Sequence, residues 1–196
     1  MKVLLGMPCM RSIPFKTVVS LLRTAKKGAV EPFMVEGSLV YDSRDAIAKF
    51  GLENGFDYVL YVDSDMVFDS NDLNRLLAHN VDICTGLYVT RNGENNNVLY
   101  SNVITQRRFP SRDSKLITDM ATSGFGQVSA CGFGFCLVKI EVIKTLFKHY
   151  KSPFEPKWGV GEDVAFCLRA QKHGYKIFAD RDVKLGHVGD IEYRAD

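Results

Sequence analysis

The chain has 196 residues, 46% hydrophobic and 24% charged, and its 25 basic and 23 acidic residues leave a formal charge of +2. That length fits one domain and buries roughly 70% of the surface the unfolded chain exposes, so no disulfide or zinc staple is required. The near-balance of charge argues against a dedicated nucleic-acid binder, and the ordinary composition excludes disorder and collagen-like repeats.

Short apolar runs alternate with helical stretches, the pattern of an α/β domain. Residues 2–7 (KVLLGM) predict a buried strand ended by Pro8. Residues 14–27 carry apolar side chains at 15, 18, 19, 22 and 25, a helical period with proline near its start. A second strand is expected over 32–36, followed by Gly37. Residues 43–54 predict a helix capped by Asp42 or Ser43 and stopped by Gly55. DYVLYV, residues 57–62, is the clearest buried strand in the chain.

A capped helix over 69–79 and a strand over 81–89 come next. From Thr90 to Ser129 the signals weaken: NGENNN, RRFPSRDSK and the glycine-rich SGFGQ predict hairpins or a mobile flap over the sheet. Regular structure resumes with a strand over 134–138 and helices over 141–149 and 162–173, the last ended by Gly174. Two short strands are expected near 176–179 and 183–186. The longest mostly apolar stretch, 130–138, falls far short of the ~20 residues that cross a bilayer, so no membrane span is expected.

The five cysteines, at 9, 84, 131, 136 and 167, are odd in number and form no CxxC pair, which favours reduced, mostly buried thiols. The start MKVLLGM runs into Pro8 without a cleavage-site pattern, so no signal peptide is expected and a cytoplasmic location is the default.

Three constellations carry chemistry. Asp63-Ser64-Asp65 follows DYVLYV, and alternate side chains of an extended chain point the same way, so two carboxylates converge on one cation. Oxygen ligands at a strand end suit Mg²⁺ or Mn²⁺; a simple acidic turn cap is the competing explanation, at about even odds. Two acids at the exit of a central strand are costly without a cation, which tips the balance.

Glu162 and Asp163 open a helix, where acids favour the macrodipole, so a plain helix start explains them unless one is a general base. His187, between glycines after a short apolar strand, differs from His79, His149 and His173, which sit at polar helix ends. It is a candidate to complete a metal site with the two aspartates, and an imidazole favours Mn²⁺ over Mg²⁺.

In order and spacing, an apolar strand, DSD, GFGFCLV, WGVGEDVAFCLRA and a final GH resemble the GT-A glycosyltransferases. The likeness is to family-two-like members that use nucleotide-diphosphate sugars, and it extends from KVLLGMP to LGHVG. DSD alone is weak, whereas GEDVAFCLRAQKHGYKIF followed by GH is specific. The resemblance implies a GT-A α/β fold with a mixed, mostly parallel sheet flanked by helices. It implies one catalytic domain over 1–196, with a nucleotide-binding half at about 1–90 and an acceptor-side half at about 91–196.

It further implies a metal-dependent transferase moving a hexosyl or related sugar from a nucleotide-diphosphate donor, a UDP-sugar above all, to a glycan or other hydroxyl acceptor. Asp65 and His187 would be metal ligands, with Asp63 on metal or ribose and Ser64 in the same donor-binding turn. Asp163 would be the catalytic base of an inverting reaction, with Glu162 orienting the acceptor. Pro8 and Arg44 would line the nucleotide pocket and Glu36 would meet the base. Gly134 would let the donor sugar approach the backbone, although strand glycines also mark bulges. Trp158 would stack on an acceptor sugar, with ordinary core packing an equal alternative.

The sequence departs from the pattern where VEGS replaces an aspartate-rich turn after the second strand. It also ends nine residues after His187, as expected of a minimal core or one module of a larger protein. Other readings are weaker. A haloacid-dehalogenase-like phosphatase would use Asp63 as nucleophile, but that motif belongs on the first strand. A sugar-nucleotide pyrophosphorylase needs a glycine-rich N-terminal loop that MPCMRS lacks. A non-catalytic nucleotide-sugar-binding module leaves the joint presence of DSD, ED and His187 unexplained.

Overall fold

The structure, a computed structural model, describes residues 1–10, 12–26, 29–37, 39–89, 98–99, 124–157, 159–189 and 192–194. Most of the 90–129 flap and Trp158 lie outside the described residues.

Among them, twelve strands and five helices follow in the order β1 (Val3–Cys9), α1 (Phe15–Ala25), β2 (Val30–Glu36), α2 (Val40–Glu53), β3 (Tyr58–Val62), β4 (Met66–Val67), α3 (Ser70–Ala78) and β5 (Ile83–Leu87). The chain continues through β6 (Val98–Leu99), β7 (Phe125–Val128), β8 (Ala130–Cys131), β9 (Phe135–Lys139), α4 (Ile140–His149), α5 (Glu162–Lys172), β10 (Ile177–Lys184), β11 (Gly186–Val188) and β12 (Glu192–Arg194).

Seven strands form one mixed sheet, in the order β2-β1-β3-β9-β5-β10-β7. β2, β1 and β3 are parallel neighbours, as are β5 and β10, while β9 and β7 oppose their neighbours. Helices cover both faces, which is why β3 reads as an unbroken apolar run. Its alternate residues serve two cores: Val59 and Tyr61 pack with Ile47 of α2, Ile143 of α4 and Phe166 of α5. Leu60 and Val62 pack with Leu21 of α1 and Leu73 and Leu76 of α3. Gly6 lets α2 come this close, since a Cβ there would lie 2.1 Å from Ile47 Cγ2.

Several element boundaries differ from expectation, each for a physical reason. β1 continues through Pro8, because its pairing with β3 ends at Gly6 and only the β2 side remains paired beyond it. A proline without an N–H is tolerated at such a locally unpaired edge. α2 begins at Val40 rather than Ser43, with Leu39 as the N-terminal flanking residue and no side-chain cap. Ser43 Oγ instead bonds back to the Leu39 carbonyl. Gly55, at φ 67°, follows α2 as the left-handed stop expected of it. The two short strands expected near the C-terminus are one strand, β10, with a register shift between Asp180 and Lys184.

A separate three-stranded sheet, β12-β11-β4, was not foreseen. β4 lies directly after Asp65 and pairs antiparallel with β11, Met66 opposite His187. No helix among the described residues is long and apolar enough to cross a membrane.

Candidate active site

The C-terminal ends of β1, β2 and β3 meet at one edge of the sheet. Pro8 is opposite Val35 in the β1–β2 register, and extending the β1–β3 register by two residues sets it level with Asp63. Glu36 is opposite Cys9 and exposed. Asp63, Ser64 and Asp65 form the turn from β3 into β4, with Asp65 the most buried of the three at 8% exposure.

The β4–β11 pairing then acts on the site. Val188 N donates to the Asp65 carbonyl at 2.8 Å, which brings the Asp65 and His187 side chains together. His187 Nε2 lies 3.3 Å from Asp65 Oδ2, while His187 Nδ1 is 2.8 Å from the Val89 carbonyl oxygen. A carbonyl can only accept, so Nδ1 carries a proton and donates it. In the neutral ring, Nε2 therefore presents its lone pair toward the carboxylate. A nitrogen and an oxygen donor at this spacing fit two adjacent positions on one Mn²⁺-sized ion. Among the described residues no group of three or more His, Cys, Asp and Glu converges as a metal cage. The pair would thus leave further positions to other ligands.

Asp63 has a different neighbour. Its Oδ1 accepts a hydrogen bond from Arg44 Nη2 at 2.9 Å, and its backbone N–H donates to the Gly134 carbonyl. Arg44, in the first turns of α2, also donates from Nη1 to Glu162 Oε1 at 2.7 Å. The guanidinium is 3% exposed and stands over the Phe133 ring, Cζ 5.6 Å from its centre. Burial opposes the charged guanidinium, but Asp63, Glu162 and Asp163 outweigh burial and hold its proton more tightly than usual.

Asp163 is half-buried in the first turn of α5, its Oδ1 accepting from Val164 N at 2.7 Å. Burial pushes its carboxyl above the usual range, Arg44 pulls it back, and the charges of Glu162 and Asp63 push it up again.

Gly134 packs against protein: its N–H donates to Tyr88 Oη at 2.9 Å, and a Cβ there would lie 2.7 Å from Tyr88 Cζ. Tyr88, Val89, Phe133 and the β4–β11 pair are the parts sequence reasoning missed. Each acts through a non-local contact, and none has a local signal beyond an apolar run.

No protein-family model matches the chain, and no curated protein sequence matches it. Solved structures do. A197 from STIV superposes with a TM-score of 0.66 at 20% identity, over 97% of this chain and 87% of that one. GalNAc-T7, a GT-A glycosyltransferase solved with UDP, GalNAc and Mn²⁺, superposes with a TM-score of 0.62 at 14% identity. That match covers 96% of this chain but 44% of GalNAc-T7, so the chain spans less than half of its length. The fold is therefore α/β and GT-A-like, as the sequence resemblance implied.

Proposed function

We propose that this chain is a metal-dependent glycosyltransferase that moves a sugar from a nucleotide-diphosphate donor, a UDP-sugar, to an acceptor hydroxyl with inversion. The observation that carries the reading is the Asp65–His187 pair, two potential donors 3.3 Å apart with the imidazole oriented by the Val89 carbonyl. Support comes from the fold neighbour solved with UDP, GalNAc and Mn²⁺. A divalent ion, Mn²⁺ or Mg²⁺, bound by Asp65 and His187 would act as a Lewis acid toward the departing diphosphate.

The chain's own residues do the rest. Pro8, Glu36 and Ser64 lie along the strand-end edge where the nucleotide would bind, the usual ligand position in an open α/β sheet. Asp63, held by Arg44, contacts the ribose in this reading. Asp163 takes the acceptor hydroxyl's proton, and burial gives its carboxylate a higher proton affinity than an exposed one, which favours that task. Glu162, held by Arg44, orients the acceptor. Trp158 remains the proposed acceptor-stacking residue, and Gly134 now serves by keeping Tyr88 beside Asp63's backbone anchor. The phosphatase alternative leaves the Arg44–Asp63 bond and the Asp65–His187 pair without a role.

Calorimetric titration of UDP and GDP, each with Mn²⁺ and with a chelator, tests the reading. Binding much weaker in chelator is expected; equal affinity in both, or no binding in either, overturns it.

A further inference from the structure

We propose that Arg44 is a positioning residue that couples the two acidic ends of the cleft, holding Asp63 and Glu162 on one buried guanidinium so that an event at either carboxylate is felt at the other. This deepens the transferase reading and rests on it for what the two ends do.

The two acids belong to elements far apart in the chain, the exit of β3 and the start of α5, and each is bonded to a different terminal nitrogen of Arg44, at 2.9 and 2.7 Å. A planar fork with separate donors can serve two carboxylates at once, whereas a lysine ammonium is a point charge without a fork. The third nitrogen, Nε, is buried and has no hydrogen-bond partner among the described residues. The site thus leaves one donor unsatisfied while directing both terminal nitrogens at acids.

Neighbouring contacts limit the guanidinium's freedom to follow one acid away from the other. Phe133 lies against it and packs in turn on Tyr61, Phe154 and Phe166. The next residue on α2, Asp45, is also buried, and accepts hydrogen bonds from Ser152 Oγ and Phe154 N. Arg169 of α5 binds the Pro153 carbonyl in the same turn. α2 is thereby tied to the segment that precedes α5, and Arg44 and Glu162 keep a fixed separation.

Charge makes the link two-way. Asp63 and Glu162 are bonded to one cation, so neither can change its partner without altering what Arg44 offers the other. A donor that engages Asp63 leaves more of the guanidinium's field to Glu162 and the acceptor end. Binding at one end therefore favours binding at the other, and linkage requires the effect to be equal in both directions.

The experiment reads coupling with and without Arg44. Glu162→Gln is made in wild-type and Arg44→Lys backgrounds, and the Asp63 carboxyl ¹³C resonance is followed in metal-free protein. Glu162→Gln is expected to move that resonance when Arg44 is present and to leave it in place with lysine. In parallel, UDP affinity in Mn²⁺ should change by at least about twofold on Glu162→Gln in the arginine background alone, the low end of coupling within one network. An unmoved Asp63 resonance with Arg44 intact, or equal movement in both backgrounds, overturns the proposal. If Arg44→Lys does not fold, the Arg44 side-chain ¹⁵N resonances decide: they must respond to both Asp63→Asn and Glu162→Gln, and a response to one alone overturns it. Absence of any UDP binding would sink the transferase reading, while the carboxyl resonance still decides the coupling.

Discussion

His187 Nε2 stands 3.3 Å from Asp65 Oδ2, and the two residues reach that spacing through a small antiparallel pairing, His187 within β11 and Asp65 directly before β4, rather than from adjacent positions in the chain. The backbone bond from Val188 N to the Asp65 carbonyl fixes the register, and the Val89 carbonyl fixes the ring. Both side chains are thus oriented before any ligand arrives.

The first prediction follows directly. Mn²⁺ added to the free protein should broaden the NMR signals of Asp65 and His187 before those of other acids. Asp65→Ala and His187→Ala should each weaken Mn²⁺ binding by more than about tenfold, since losing even a group that only orients a metal ligand costs about 10–100-fold. Broadening centred on Asp182 or Glu141 instead would remove the metal from this site.

A second prediction concerns stability away from the cleft. Asp180 on β10 is fully buried, yet Arg75 binds it through Nε at 2.6 Å and Nη2 at 3.1 Å, and His79 Nε2 is 2.7 Å away. Burial raises its proton affinity, but the bonds from Arg75, His79 and the Asp182 N–H outweigh burial and hold the carboxyl below its ordinary 3.8. A carboxyl depressed in the folded state stabilises the fold above the unfolded value, and that contribution is lost as pH falls through the folded one. Asp180→Asn should therefore lower Tm by several degrees at pH 7, with the gap from wild type closing below about pH 3.8. A gap unchanged down to pH 2 would show that the ion pair contributes nothing.

That same pair explains part of what the sequence hid. Residues 180–182 separate the two short strands expected from the sequence, and an aspartate inside a strand has no local reason to be there. Its reason is Arg75 on α3 and His79 just after that helix, more than a hundred positions earlier. The buried strand β3 was legible because both its faces are covered, and the helix stop at Gly55 because a left-handed residue is a local event. Asp65 and His187 were legible as chemical types. The resemblance marked Arg44 as a pocket residue, but no local signal marked it as a buried bridge, because only the α2–α5 approach brings Glu162 to it.

Gly134 supplies a third prediction. Its N–H bonds Tyr88 Oη and its carbonyl receives Asp63 N, so one residue joins the aromatic wall to the strand end. A Cβ would stand 2.7 Å from Tyr88 Cζ, inside any allowed contact. Gly134→Ala should cost about 1–3 kcal/mol by denaturant unfolding, the range for overpacking. Tyr88→Leu in the same chain should recover part of the loss. No destabilisation by Gly134→Ala would mean that the tyrosine moves aside freely.

The last prediction separates the two acids at the start of α5. Asp163→Asn keeps size and the helix start but removes the proton acceptor, so Mn²⁺-dependent UDP affinity should stay nearly unchanged. Turnover to an acceptor at saturating donor should fall by about 10²–10⁴-fold, the contribution of a general base. The pH profile gives an independent check. Burial sets the Asp163 carboxyl above 3.8, so wild-type transfer should rise with pH along an acid limb displaced above that value. Asp163→Asn should lose that limb, and Glu162→Gln should keep one, because its acid is held by Arg44 rather than used as the base. If Asp163→Asn transfers sugar at the wild-type rate, Asp163 is not the base and the GED segment is a helix start and nothing more. A retaining reaction, which needs no enzymic base at that position, then becomes the better account of the same cleft.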